Sequence, residues 1–160
     1  MDPTIQIRRG HAADHDVLGE IMYDAVRNGP SRYTPEQQAA WVPEPRKGEG
    51  EDWDKRLASQ TIIVAEAAGL AVGFMTLAAP DYVDFAYIRP DWQGKGVFRT
   101  LHDAVEQEAR RTGQTRLYVH ASLMAQPAFS AMGYSVIAPE EVTLRGAQFK
   151  RFEMEKSLTG

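Results

Sequence analysis

Residues 87–99 decide how this chain folds, and their sequence is Tyr-Ile-Arg-Pro-Asp-Trp-Gln-Gly-Lys-Gly-Val-Phe-Arg. The stretch predicts the end of a strand, a proline that stops it, a glycine-rich turn and the start of a long helix. Gly94 and Gly96 let the backbone come close to a bulky anion, because they carry no side chain. The N–H groups at the helix start would face that anion, and the helix dipole favours negative charge there. Lys95 and Arg99 offer further charge-assisted contacts.

The turn differs from two common phosphate-binding motifs. It lacks the Gly-Lys-Ser/Thr that follows the first glycine of a Walker loop. It also lacks the third glycine of a dinucleotide-binding fingerprint and lies in the middle of the chain. Two further interpretations stay open on these residues alone: a tight strand-to-helix turn without a ligand, and a small module that binds a phosphate ligand.

Hydrophobic periodicity predicts the elements on either side of this turn. Thr34 and Gln37 are spaced as a capping box at the start of one short helix, and residues 43–51 are predicted to form a loop. Strands are predicted over 5–7, 61–67, 71–78, 82–88, 115–120, 134–144 and 149–155, and helices over 14–28, 35–41, 52–59, 97–113 and 124–132. We therefore expect one domain over residues 1–160 with an α+β fold, equally described as a mixed α/β sheet, in which helices flank a mostly antiparallel sheet.

Composition narrows the functional classes. The chain has no cysteine, which excludes disulfides, thiolate metal sites and a cysteine nucleophile. Its net charge of −4 argues against a nucleic-acid partner. We see neither a signal peptide nor the ~20 consecutive apolar residues that a membrane span needs. These features together lead us to expect a cytoplasmic protein with no membrane contact. His11, His15 and His102 show no metal-ligand spacing, so we expect no metal.

The stretch at residues 87–99 resembles the acyl-CoA motif of the GNAT superfamily of N-acetyltransferases. Ile88 and Pro90 match the strand part of that motif, and residues 93–96 match its Gln-x-x-Gly-x-Gly/Ala part in outline. Phe98 stands where the family usually has glycine or alanine. This departure affects the packing of the first helical turn but not the backbone N–H groups that the family uses to bind pyrophosphate.

The resemblance extends over most of the chain. Ser122-x-x-Ala125 followed by Gly133-Tyr134 is similar to a later family motif, Asn-x-x-Ala, then Tyr, then Gly-Phe. Ser122 replaces the asparagine, and Phe129 replaces the tyrosine that often serves as general acid. Residues 33–41, with the pattern Tyr-Thr-Pro-x-Gln-x-x-x-Trp, resemble one bacterial subgroup. That subgroup also ends with an Arg-Gly-x-x-Phe stretch like the one from Arg145 to Phe149.

The resemblance implies a GNAT-like acyl-CoA N-acyltransferase fold with acetyl-CoA as co-substrate. The strand at residues 84–88 would splay from the strand at 115–120, and pantetheine would lie in the gap. The thioester carbonyl would accept a hydrogen bond from a backbone N–H near residues 86–88, as in an oxyanion hole. The implied cofactor-binding residues are Ala86, Tyr87, Ile88, Gln93, Gly94, Lys95, Gly96, Val97, Phe98, Arg99, Ser122 and Phe129.

The implied reaction is attack of a primary amine on the thioester, and without cysteine we expect direct transfer in a ternary complex. An alkyl amine with a pKa near ~10 is mostly protonated at neutral pH, so a base must take its proton. Asp84 is the first candidate, His120 the second, and Glu66 could act through water. Tyr134 is the candidate general acid, with Tyr82, Tyr87 or no side chain as alternatives.

Tyr33 and Trp41 are predicted to bind the acceptor if the subgroup resemblance holds. The acceptor itself, a small-molecule or peptide amine, is not identified by the sequence. An acidic chain with a carboxylate in the cleft fits a cationic amine, although it fits other acceptors too. A homodimer is common in the family. The alternative function is a GNAT-like domain that binds acyl-CoA without catalysing transfer.

Overall fold

The structure is a computed structural model that describes residues 4–46 and 51–159. In these ranges its strands are β1 Ile5–Arg9, β2 Gln60–Ala67, β3 Leu70–Ala78, β4 Tyr82–Ile88, β5 Arg116–Ser122, β6 Ser135–Leu144 and β7 Ala147–Ser157. Its α-helices are α1 His15–Asn28, α2 Pro35–Trp41, α3 Glu51–Ala58, α4 Val97–Arg111 and α5 Gln126–Ala131. Short 3-10 turns cover Ala12–Asp14 and Pro90–Trp92. None of the described helices is long and apolar enough to cross a membrane.

The predicted order of elements is confirmed, with differences at the ends. The capping box is present, because Thr34 N–H donates to the Gln37 side chain over 2.7 Å and Gln37 N–H returns a bond of 3.1 Å. Helix α5 begins at Gln126 rather than at the predicted Met124, since the Ser122 hydroxyl accepts a bond from Ala125 N–H and holds a turn there. Part of the loop predicted over 43–51, residues 47–50, lies outside the described residues.

One mixed sheet organises the described chain, and its strand order is β1-β2-β3-β4-β5-β7-β6. All neighbouring strands are antiparallel except β4 and β5. Those two pair in parallel only through Tyr82 with Tyr118 and Val83 with Val119. Beyond Val83 they separate, which confirms the predicted splay and opens a gap in the middle of the sheet. The predicted mixed fold is therefore confirmed as well.

Helices cover both faces of the sheet. On one face, α4 buries Leu101, Val105 and Ala109, which recur every four residues along it. On the other face, α1 and α3 pack on a cluster that includes Trp53 and Phe74. Burying one such large apolar side chain contributes about 1.5–3 kcal/mol, so the two layers hold the strands beside the gap in place.

An ion pair far from the gap joins β1 to the chain segment before α1. Arg8 donates to both carboxylate oxygens of Asp14, over 2.9 and 2.7 Å, and to Glu66 over 3.0 Å. The hydrogen bonds from Arg8 lower the pKa of Asp14 from 3.8 to about 2. A lowered pKa means that the ionised form stabilises the fold, so this contribution is complete above pH 3.8 and is lost as the pH falls towards 2.

We therefore expect Asp14→Asn to lower the free energy of unfolding at neutral pH and to make stability less sensitive to acid. Urea unfolding at stepped pH measures both effects. The difference between wild type and variant should shrink as the pH falls from about 4 to 2. The exposed Asp103 on α4 provides the control Asp103→Asn. A wild-type acid dependence that persists in Asp14→Asn would contradict the assignment.

Candidate active site

A cavity of about 400 Å³ lies where β4 ends, and we call it cavity I. The glycine turn, the C-terminal end of α1, and the α5 region surround it. Nine of the residues predicted to bind the cofactor line it: Ala86, Tyr87, Ile88, Gln93, Gly94, Gly96, Phe98, Arg99 and Ser122. The structure thus brings together most of a set that the sequence placed on three separate segments.

The start of α4 forms the polar end of cavity I. Its N-cap is Gly96, which has a φ of 84° and offers no side chain to cap the helix. The first intrahelical bond runs from Thr100 N–H to Gly96 O over 3.1 Å. The N–H groups of residues 97–99 therefore have no acceptor within the helix. With no acidic residue in the first turn, this end is suited to an anion.

Backbone conformation explains the two glycines of the turn. Gly94 and Gly96 have φ values of 74° and 84°, and a Cβ built on either would meet no atom within 4 Å. The positive φ, rather than crowding, is what disfavours other residues here. Gln93 fixes the turn to the strand, because its side-chain amide donates to Ile88 O over 3.1 Å.

The edge of β4 that faces the gap presents backbone donors. Phe85 N–H donates to Thr76 Oγ1 on β3, and Arg89 N–H donates to Val72 O on the same side. Because successive residues of a strand direct their N–H groups to opposite sides, those of Ala86 and Ile88 point into the gap. Either of them has the orientation that the predicted oxyanion hole requires of its single N–H donor.

Three predicted cofactor residues do not line cavity I. Lys95 is exposed beside the Trp92 ring. The side chain of Val97 is buried in the core, so only its backbone N–H can serve a ligand. Phe129 is also buried, with its ring 5.1 Å from that of Phe98. The position usually occupied by the family's tyrosine therefore supports packing in this chain.

Sequence reasoning missed several residues of cavity I. They are small or flexible apolar residues contributed by the α5 region and the end of α1, namely Met124, Ala125, Ala128, Ala131, Met132, Ala25, Val26 and Pro30. The alanines at 125, 128 and 131 recur every three residues. That spacing was the one available signal of a helix face kept small to admit a ligand.

A second cavity of about 250 Å³, cavity II, lies beside the first, and both are lined by Trp41, Tyr87 and Ser122. Between them, a space of about 60 Å³ occupies the gap between β4 and β5. Tyr33 and Trp41, predicted to bind the acceptor, both line cavity II. The Tyr33 hydroxyl donates to Lys150 O over 2.5 Å and accepts from Leu123 N–H, so this ring serves as a fixed wall.

Asp84 lies in the wall of cavity II, but its carboxylate is already bonded. Arg56 donates to its two oxygens over 2.6 and 2.5 Å, and Gln60 adds a bond of 2.7 Å. The side chain is 4% exposed, and its hydrogen bonds raise the pKa of Arg56. This arrangement makes Asp84 the counterion of Arg56. It does not support the prediction that Asp84 is the base.

We expect Asp84→Asn to destabilise the fold by about 1.5–3 kcal/mol, the range for hydrogen bonds to charged groups. Arg56→Gln should cost at least as much, because it leaves the Asp84 carboxylate, which is 4% exposed, without its cation, whereas the 47% exposed Arg56 can be solvated when Asp84 is replaced. Urea unfolding of both variants and of the double variant gives the coupling between the two positions. Strictly additive losses would show that the pair does not hold Asp84 in place.

His120 is the candidate base whose surroundings suit the task. Its Nδ1 lies 2.6 Å from Glu140 Oε1, and Arg151 also donates to Glu140. Partial burial opposes ionisation of Glu140, but hydrogen bonds from Arg151 and His120 outweigh it and lower its pKa. An ionised carboxylate only accepts, so Nδ1 carries the proton and Nε2 is the basic atom of the neutral ring. His120 lines both cavity II and the gap.

Glu140 was missed by sequence reasoning. It lies on β6, twenty residues from His120, and becomes a neighbour only because β7 pairs with both β5 and β6. Side-chain oxygens and nitrogens of His120, Glu140 and Glu153 lie within 4.8 Å of one another. Because Arg151 already provides a cation at Glu140, we describe this group as an ion-pair network.

The other proposed proton carriers are placed less favourably. Tyr134 is buried in the core with its hydroxyl 2.8 Å from His102 Nε2, and it lines neither cavity. Burial raises its pKa, and this position does not support the prediction of a general acid. Burial also raises the pKa of Tyr87, which lines both cavities. Glu66 is bonded to Arg8 and lines neither cavity.

Comparisons with known proteins agree with this geometry. The sequence profile of the acetyltransferase (GNAT) domain family matches residues 31–158. The uncharacterized N-acetyltransferase YafP of Escherichia coli strain K12 is 30% identical over 154 residues, which are 94% of this chain and 95% of that protein.

Solved structures show the same architecture. A GCN5-related N-acetyltransferase from Rhodopseudomonas palustris, also named a class-II aminotransferase, has a TM-score of 0.86 at 31% identity, and the match covers 99% of this chain and 98% of that chain. The structure of yncA, an acetyltransferase from Salmonella typhimurium described with its cofactor acetyl-CoA, has a TM-score of 0.68 at 20% identity. The match covers 98% of this chain and 95% of that chain. This chain therefore belongs to the GNAT family of acetyltransferases.

Proposed function

We propose that this acetyltransferase moves the acetyl group of acetyl-CoA to a primary amine by direct transfer in a ternary complex. The observation that carries the proposal is that cavities I and II meet at the splay of β4 and β5, where Tyr87 and Ser122 line both. A donor in one cavity and an acceptor in the other can react there without an intermediate carrier.

Cavity I suits acetyl-CoA in both charge and shape. The uncapped N–H groups at the start of α4 would bind the pyrophosphate, with Arg99 in the cavity wall as a further cation. The pantetheine chain would follow the open edge of β4. The N–H of Ala86 or Ile88 would then stabilise negative charge as it develops on the thioester oxygen.

His120 would take the proton from the attacking amine at Nε2. Glu140 holds Nδ1–H and stabilises the positive charge that the ring gains. The amine nitrogen bonds to the acetyl carbon, the carbon–sulfur bond breaks, and CoA leaves as a thiolate. The proton on His120 then returns to the thiolate or to water. The Ser122 hydroxyl lies at the cavity junction and accepts a hydrogen bond from Ala125 N–H, so the hydroxyl hydrogen of Ser122 remains available to donate.

Direct transfer is tested by mass spectrometry of the protein after incubation with acetyl-CoA alone, followed by thiol release with a panel of amines. We expect an unchanged protein mass without acceptor, and release of CoA thiol only when an amine is present. The absence of cysteine supports this expectation. A stoichiometric acetyl-protein that disappears on addition of an amine would contradict direct transfer.

A domain that binds acyl-CoA without transfer is the second candidate. The specific observation in its favour is that Phe129, at the usual tyrosine position, is buried and packed against Phe98. This candidate predicts acetyl-CoA binding with no thiol release by any amine tested. The bonded pair of His120 and Glu140 at the cavity junction favours the enzyme.

A further inference from the structure

The charge of cavity II is opposite to what a cationic acceptor requires. Four arginines line it, and Asp84 is the one carboxylate among its described lining residues. Two of the arginines have counterions, since Arg56 is paired with Asp84 and Arg151 with Glu140. The other two are Arg46 and Arg145, and no described carboxylate lies within ion-pair distance of either.

Arg145 is held at the wall by backbone rather than by an acid. It lies in the turn between β6 and β7, and its Nη1 donates to Ala40 O over 2.7 Å and to Trp41 O over 3.2 Å. These carbonyls end α2, where the helix dipole favours a cation. The guanidinium is thereby fixed in position with its charge uncompensated by an acid, which is the arrangement of an anion receptor.

Arg46 lies on the same cavity, with its guanidinium 4.8 Å from the centre of the Trp53 ring. Burial lowers its pKa, and repulsion from Arg56 and Arg145 lowers it further, with partial compensation from Asp52. The arginines therefore repel one another in the free protein. A bound anion would relieve that repulsion, so the cavity favours a ligand of negative charge over one of positive charge.

The size and remaining walls of cavity II limit the acceptor further. Its volume of about 250 Å³ is below the roughly 300–1,000 Å³ of sites for drug-sized ligands. Aromatic rings of Tyr33, Trp41 and Phe149 contact one another edge to face along one side. The space suits a molecule of about amino-acid size with an apolar body.

We propose that the acceptor is a small amine that also carries an anionic group, a carboxylate or a phosphate, which binds at Arg46 and Arg145 while the amine faces His120. This inference rests on the proposed acetyl transfer. It replaces the expectation of a cationic acceptor, because the carboxylate on which that expectation relied, Asp84, is neutralised by Arg56.

The first test compares pairs of amines that differ in the anionic group. Thiol release would be measured with L-methionine against L-methioninamide and with O-phosphoethanolamine against ethanolamine. We expect kcat/KM at least ~10-fold higher for the anionic member of one pair, and the favoured pair distinguishes carboxylate from phosphate. Faster reaction of the uncharged or cationic member in both pairs would overturn the inference and leave acetyl transfer intact.

Single substitutions test whether Arg145 binds the anionic group of the acceptor. Arg145→Gln should raise KM for the anionic amine about 10- to 100-fold with little change in kcat or in acetyl-CoA affinity, and Arg145→Lys should keep part of the binding. Arg27→Gln is the matched control, because Arg27 also donates to two carbonyls, Val42 O and Pro43 O, but lines neither cavity. Equal losses in the Arg27 and Arg145 variants would overturn the assignment.

A binding measurement separates this inference from the proposed function. The CoA-saturated protein would be titrated with inorganic phosphate and with acetate at constant ionic strength while its melting temperature is followed. We expect stabilisation by one of these anions in wild type and Arg27→Gln, and none in Arg145→Gln. If no amine in the panel is acetylated, the proposed function fails. If neither anion stabilises wild type, or if both stabilise Arg145→Gln as much as wild type, the anion site is overturned.

Discussion

Gly96→Asp is expected to weaken acetyl-CoA binding by about 100-fold or more while leaving the protein folded. A carboxylate at the N-cap of α4 would lie where the pyrophosphate is proposed to bind. Two unit charges 4 Å apart repel by about 4 kcal/mol at an effective dielectric constant of ~20, which is nearly a thousandfold before screening by salt. Aspartate is also a preferred N-cap residue, so it would bond the N–H groups that the ligand needs.

Gly113→Asp is the matched control for this change. Gly113 lies just after α4, has a φ of 81°, and a Cβ there meets no atom within 4 Å, as at Gly96. Both variants therefore bear a similar cost, about 1–2 kcal/mol, for a side chain at positive φ. Calorimetric titration with acetyl-CoA should show a loss in Gly96→Asp alone. Wild-type affinity in that variant, or an equal loss in both, would contradict the proposed pyrophosphate site.

His120→Gln is expected to lower kcat by about 10²- to 10⁴-fold, the range for removing a general base. Acetyl-CoA affinity should change little, because His120 lines cavity II and the gap rather than cavity I. Steady-state thiol release with a reactive amine gives kcat, and titration with acetyl-CoA gives the affinity. A parallel loss of both would indicate a damaged fold rather than a missing base.

Two further substitutions sharpen the interpretation. Glu140→Gln should lower kcat by less than His120→Gln, since the ring remains but loses the carboxylate that orients it and stabilises its charge. The exposed His11 gives a matched control, His11→Gln, which should retain wild-type turnover. Unchanged kcat in His120→Gln would show that His120 is not the base and that water accepts the proton of the attacking amine.

The glycine turn could be predicted from the sequence because its determinants are local. Pro90 ends pairing along β4, the glycines take the positive φ that the turn needs, and period-3.6 residues mark α4. Every element that these signals define lies within about 25 residues of the turn. This continuity explains why residues 86–88, together with Gln93, Gly94, Gly96, Phe98 and Arg99, line cavity I.

Proton transfer could not be assigned in the same way, because it depends on partners distant in sequence. Asp84 has no sequence neighbour that neutralises it, but α3 brings Arg56 to it across 28 residues. Tyr134 is bonded to His102, 32 residues earlier. Pairing of β6 with β7 brings Glu140 to His120. Each role is set by packing and register, which residue types alone do not reveal.

Net charge was a poor guide to the acceptor for a related reason. The chain carries −4 overall, yet Arg46, Arg56, Arg145 and Arg151 come from separate segments to one cavity of positive charge. Composition reports the sum over the whole surface, whereas recognition depends on the few groups that share a low-dielectric pocket.

The central claim, that cavity I binds acetyl-CoA, is tested most directly by a thermal-shift panel with acetyl-CoA, CoA, ATP and NADH. A ligand at 100 times its dissociation constant stabilises by about 2.7 kcal/mol, which is roughly 5–10 °C for a domain of this size. We predict a shift of that order with acetyl-CoA and CoA and none comparable with ATP or NADH. No shift with either CoA species, or a larger one with ATP or NADH, would contradict the account.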